Sequence, residues 1–194
     1  CVVSIPLPPG AIGISASRFG FANYAVSHAG IAYGRSLGAP VSLGLQLNYF
    51  MMSIPGLGKS SAVGAELGLL LRLSDRLHAG IHTANPGGMR FSNNEHLPAR
   101  FTIGMGYDIS DRFFFYTELQ KEELQPICVN AGFHYSLSTL AFVRAGVSTD
   151  VNALWWSAGC LLGFLRVDMG LKYQQPLGIS PALTILFNLK GRGS

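Results

Sequence analysis

Large apolar residues and small or polar residues alternate with period two over much of this chain, the pattern of strands with one fatty face. In 41–52, Val41, Leu43, Leu45, Leu47, Tyr49 and Met51 point one way, and Ser42, Gly44, Gln46 and Asn48 point the other. In 63–73, Leu67, Leu69 and Leu71 oppose Gly64, Glu66, Gly68, Leu70 and Arg72. In 165–174, Val167, Met169 and Leu171 oppose Arg166, Asp168, Gly170 and Lys172. The stretch FTIGMGYDISDRFFFYTEL at 101–119 repeats the alternation on both sides of a Ser-Asp turn and predicts a hairpin. Twelve segments read this way: 12–18, 29–36, 41–52, 63–73, 77–83, 99–109, 112–120, 127–136, 140–148, 153–162, 165–174 and 182–189. No helical period of any length is present.

The polar face is unusual. A soluble sandwich meets water with Lys and Glu, whereas here glycine recurs, and strand glycine weakens a sheet unless something occupies the space it leaves. A curved barrel wall with a crowded interior supplies that occupant. The connections point the same way. Those at 37–40, 74–76, 110–111, 137–139 and 163–164 are short. Those at 19–28, 53–62, 84–98, 121–126, 149–152 and 175–181 are mostly longer, as expected for periplasmic turns and outer loops. An even count of strands puts both chain ends on the short-turn side. Tyr33, Tyr107, Phe113 and Tyr135 on one side, and Tyr49, Phe101, Trp155, Trp156 and Tyr173 on the other, suit two interfacial girdles.

Composition strengthens this reading. Of 194 residues, 48% are hydrophobic and 12% charged, with 24 glycines and a mean hydropathy of +0.31. Soluble domains carry about 25% charged residues. Yet no apolar run approaches the ~18–20 residues of a membrane-spanning helix. The expected fold is therefore all-β: a transmembrane antiparallel up-and-down β-barrel of about 12 strands, located in the bacterial outer membrane. It is expected as a single domain over 1–194, with the barrel at 10–190 and a tail at 191–194. Net charge is +4 and pI is near 9.1, without the clustered stripe of a nucleic-acid binder, so no nucleic-acid partner is expected.

Alternation then assigns side chains. Glu66, Arg72, His78, His82, Asp108, Glu118, His134, Arg144, Arg166, Asp168 and Lys172 are expected in the lumen, where acids and bases balance and pair. Leu45, Leu47, Leu67, Leu69, Ile103, Met105, Val129, Val167, Met169 and Ile185 are expected against lipid. Apolar inward positions are few: Leu70, Phe114, Leu140, Phe142, Trp155, Leu161 and Leu186. This describes a filled barrel better than a hydrophobic tunnel.

Signs of chemistry are sparse. His78 and His82 share a strand face but lie roughly 13 Å apart, too far to share a metal. His82 and His96, with Glu95, flank the longest loop, yet no Gly-x-Ser-x-Gly elbow occurs. GLGKS at 56–60 is a fragment of a phosphate loop without its spacing or helix, and reads as a flexible outer loop. No cofactor or metal is expected. Cys128 and Cys160 fall on opposite faces, which argues against a disulfide, and Cys1 is a candidate for lipidation.

HTANPGG at 82–88, LPARFTIGMGYDIS at 97–110, FVRAGVST at 142–149 and VDMGLKYQQPLGISPALTILFNL at 167–189 form an ordered series. It resembles the outer-membrane barrels of Bacteroidota related to PorV and, more distantly, the FadL fatty-acid transporters. The resemblance spans 29–189. It implies relatives with around fourteen strands and an N-terminal segment in the lumen, so this chain would be a reduced barrel or part of a 14-stranded FadL-like one. It also implies a non-enzymatic role, as an accessory subunit of an envelope complex of the type IX secretion or outer-membrane assembly kind. Its partners would be membrane lipids and other outer-membrane or periplasmic proteins. A FadL-like channel for small hydrophobic molecules is the alternative, and a small lipid-modifying barrel enzyme is a third reading.

Overall fold

A computed structural model describes residues 1–21, 24–54, 56, 58–90, 96–175 and 177–188. The strands are β1 (Val2–Leu7), β2 (Gly10–Phe21), β3 (Tyr24–Ser36), β4 (Val41–Ile54), β5 (Gly58–Arg72), β6 (Leu77–Ala84), β7 (Met89–Arg90), β8 (His96–Leu97), β9 (Arg100–Ser110), β10 (Phe113–Glu122), β11 (Cys128–Ser136), β12 (Ala141–Ser148), β13 (Ala153–Leu162), β14 (Leu165–Gln174) and β15 (Gly178–Phe187). Thirteen of them form one antiparallel up-and-down sheet in chain order, with β1 and β15 as its edges, and β7 pairs with β8 in a separate ribbon. A 3-10 turn at Asp150–Asn152 is the helical element among the described residues, and none of their helices is long and apolar enough to cross a membrane.

The alternation predicts most strands to within a residue or two, and β13 and β14 match at both ends. Three expectations need correction. First, β1 adds a thirteenth strand, paired with β2 from Val2↔Ser15 to Leu7↔Gly10. Its Pro6 hides the signal, and an edge strand tolerates a residue that cannot donate to the ladder. Val2 consequently starts on the same side as the β2–β3 and β4–β5 connections, not on the short-turn side. Second, the long loops expected at 19–28 and 53–62 are mostly strand. β2 and β3 pair through Phe21↔Tyr24, and β4 and β5 pair through Ile54↔Gly58. At 14 and 15 residues, β4 and β5 exceed the ~9–11 residues needed to span a bilayer. Third, Gly58, Lys59 and Ser60 of the GLGKS segment belong to β5 and are not a flexible loop. The expected tail at 191–194 and Glu95 lie outside the described residues.

The chain divides into two compact units. Unit 1 is Cys1–Leu73, His78–Ile103 and Gln120–Pro126, and unit 2 is Ser74–Leu77, Gly104–Leu119 and Ile127–Ser194. Each is inside-out relative to a soluble domain. The buried hydrophobic residues among those described are Met52 and Ala62 in unit 1, and Phe142 and Ala153 in unit 2. All four lie on the glycine-bearing polar face, as the pairings Met52↔Ser60, Phe50↔Ala62, Phe142↔Gly159 and Ser148↔Ala153 require. The opposite, apolar face is exposed. Tyr33, Leu45 and Leu67 form one row across β3, β4 and β5, and each is more than 40% accessible. A soluble fold would bury such a row.

Candidate functional site

In unit 1 the polar face carries a chain of side-chain hydrogen bonds. Asn48, only 2% exposed, accepts at Oδ1 from Gln46 Nε2 at 2.7 Å and bonds His28 Nε2 at 2.7 Å. Its Nδ2 donates to Glu66 Oε1 at 2.6 Å, and Glu66 Oε2 meets His82 Nε2 at 2.9 Å. The elements are β3, β4, β5 and β6, and their register brings these groups to one face through Gln46↔Glu66 and Gly68↔His82. Gly30 makes room, since a Cβ there would lie 2.6 Å from Asn48 Oδ1. The neighbouring Phe50 ring stands 5.0 Å from the His28 ring. Packing is uneven along this face. Met52, Ser60, Ala62 and Asn48 are buried towards the β4–β5 connection, whereas Leu70 and Arg72 are exposed towards the β5–β6 turn.

In unit 2 the polar face is organised by charge around an aromatic ring. Arg166 grips Asp168 with two nitrogens, Nε to Oδ1 at 2.9 Å and Nη2 to Oδ2 at 2.7 Å. Arg144 Nη1 lies 3.7 Å from the same Oδ2. Both guanidiniums stand 4.5 Å from the centroid of the Phe142 ring, within cation–π range. The His134 ring stacks on Phe142 at 5.1 Å and takes a hydrogen bond from Arg144 Nε at 3.1 Å. Gly159 again supplies the space, because a Cβ there would collide with the Phe142 ring beside Asp168. The expected crowding over strand glycines is thus visible as specific contacts.

Of the residues assigned to the lumen, the structure joins Glu66 to His82, and His134, Arg144, Arg166 and Asp168 to one another. Glu118 accepts from Asn130 Nδ2 at 2.8 Å. Arg72 is exposed opposite His78 in the β5–β6 pairing, Lys172 is exposed opposite Ser180, and Asp108 is partly buried on β9. The side chains of Arg72 and Lys172 belong to neither cluster. Of the residues assigned to lipid, Leu45, Leu47, Leu67, Ile103, Met105, Val129, Met169 and Ile185 are exposed, and Leu69 and Val167 are partly so. Cys1 is exposed, and all three cysteines are free.

Sequence reasoning left out His28, Gln46 and Asn48 as site residues. Gln46 and Asn48 share the parity of Gly44 on a strongly alternating strand, which was the signal available. His28 shares the parity of Gly30, but it fell inside an expected loop. Leu70, Leu161 and Leu186, expected as filling, are 54%, 38% and 47% exposed. They sit on the polar face through Leu70↔Gly80, Leu161↔Arg166 and Arg166↔Leu186. Within their own units these apolar side chains stay accessible. Among the described residues, no group of three His, Cys, Asp or Glu is placed to hold a metal.

An antiparallel up-and-down sheet with an exposed apolar face and a glycine-lined polar face is the architecture of transmembrane β-barrels. No family model and no curated protein matches the chain. Solved structures do. The toluene transporter TodX of Pseudomonas putida is 12% identical with a TM-score of 0.66, covering 89% of this chain and 76% of that one. A second TodX structure is 11% identical with a TM-score of 0.64, covering 95% and 78%. The monoaromatic hydrocarbon channel CymD is 13% identical with a TM-score of 0.65, covering 99% and 82%. At such identity the likeness is one of fold. It agrees with the FadL side of the sequence resemblance and with a bacterial outer-membrane location; the PorV and Bacteroidota side gains nothing from it. These neighbours are a transporter and a channel.

Proposed function

We propose that this chain is a non-enzymatic channel of the bacterial outer membrane for small hydrophobic molecules. The observation that carries the reading is the fold likeness to a toluene transporter and a monoaromatic hydrocarbon channel over nearly the whole chain. The accessible apolar residues of the polar face, Leu70 in unit 1 with Leu161 and Leu186 in unit 2, support it. They offer an apolar solute contacts that a closely packed interior would not. The outward rows through Leu45, Leu69, Met105 and Met169 contact lipid chains in this reading, and Glu66, Arg144 and Asp168 do not. The accessory-subunit role has no comparable support, and the channel reading replaces it.

Photolabelling tests the proposal. A small aryl diazirine added to membranes containing the protein is expected to label Leu70, Leu161 or Leu186, and toluene is expected to compete. Labelling confined to Leu45, Met105 and Met169, with no competition, contradicts passage along the polar face.

A further inference from the structure

Unit 2 holds a cavity of about 480 Å³, in the range of small-molecule sites. Arg112, His134, Ser136, Phe142, Leu161 and Arg166 contribute to its walls. We propose that this cavity binds a small apolar molecule bearing one oxyanion group, of the size and kind of benzoate.

Three features of the walls converge. The first is charge. Arg112 and Arg166 line the cavity with Asp111, and behind its wall Arg144 and Arg166 share the single carboxylate of Asp168, so three guanidiniums exceed two carboxylates by one charge. The cavity lies at the 111–112 and 136–141 turn end of the strands, and a bound anion answers that surplus.

The second is the direction of the hydrogen bonds. Arg144 Nε can only donate, so His134 Nδ1 accepts and the neutral ring carries its hydrogen on Nε2. Nε2 faces Ser136 Oγ at 3.3 Å, which makes Oγ an acceptor there and leaves its O–H to donate elsewhere. Ser138 Oγ already accepts from the backbone N–H groups of Leu140 at 3.2 Å and Ala141 at 3.1 Å, and its O–H is likewise left to donate. Both serines line the cavity, which is therefore rich in donors. Asp111 is the acid on its rim and, beside Arg112 in the chain, is offset by it.

The third is the apolar wall. Leu161, 38% exposed, and the half-buried Ala141 are its accessible part, and Phe142, buried beneath two guanidiniums, backs them. A bare inorganic anion would leave this surface unused, whereas a ring or short chain attached to the anion covers it. Arg144 does not line the cavity. It acts as a positioning residue, through the surplus charge and through the tautomer of His134.

The site stands whether or not hydrocarbons permeate the protein. Isothermal titration calorimetry on the folded full chain in detergent tests it, with benzoate, benzyl alcohol as the uncharged match and inorganic phosphate as the anion without an apolar body. One benzoate per chain is expected, with the other two at least about tenfold weaker. Arg144→Gln and Ser136→Ala are each expected to weaken benzoate about tenfold, while heat-modifiable mobility reports an intact fold. If Arg144→Gln does not fold, Ser136→Ala decides. Benzyl alcohol or phosphate binding as tightly as benzoate overturns the proposal. So does unchanged benzoate affinity in the folded variants, and so does the absence of benzoate binding.

Discussion

The two polar clusters solve one problem by different means. In unit 1, Asn48 and Gln46 distribute hydrogen bonds between two imidazoles and one carboxylate, and almost every partner is neutral or singly charged. In unit 2, two guanidiniums converge on one carboxylate and one aromatic ring. An amide network holds its geometry by directional bonds and tolerates loss of a charge. An ion cluster holds it by Coulomb attraction and does not. Both clusters rest on a strand glycine, Gly30 in one and Gly159 in the other, so the backbone solution is shared while the chemistry differs.

The comparison is confined to the polar faces, and the outward faces provide its control. Leu69→Arg in unit 1 and Met169→Arg in unit 2 are each expected to cost about 2–4 kcal/mol if near the bilayer midplane. Urea unfolding in lipid vesicles measures this, and a large loss in one unit only would show that the two units do not meet lipid alike. Asp168→Asn is expected to cost about 2–3 kcal/mol by the same assay, because both guanidiniums lose their counter-charge while remaining partly solvated. Asn48→Ala should cost about 2 kcal/mol, since it strips partners from Gln46, His28 and Glu66 together. Glu66→Gln is expected to cost only about 1 kcal/mol, because an amide oxygen still accepts from Asn48. Equal costs for Glu66→Gln and Asp168→Asn would erase the distinction between the clusters.

Much of this was legible in the sequence, for a physical reason. Where one strand face is fatty and the other small or polar, register follows from parity alone. This is why Arg166 and Asp168, or Glu66 and His82, could be assigned to one face without coordinates. What parity cannot give is how far a strand continues. The chain around Ser60 and Ala62 reads as loop because its residues are small, yet there they pack under Met52 and Phe50 and extend the ladder. His28 was lost with the same misplaced boundary. Parity also cannot tell a packed inward leucine from an accessible one. Leu161 and Leu186 flank Arg166 and looked like filling, but their exposure depends on the side chains opposite them. Only the structure reveals that Phe142 lies beneath two guanidiniums, since Gly159 permits that approach from the neighbouring strand.

The most direct test of the channel reading is the initial rate of labelled toluene uptake, at low concentration, by bacteria whose outer membrane contains the folded protein. The account predicts uptake faster than in matched cells without the protein, saturable, and reduced by a second monoaromatic hydrocarbon. An unchanged rate, with the protein shown to be folded and in the outer membrane, would contradict it.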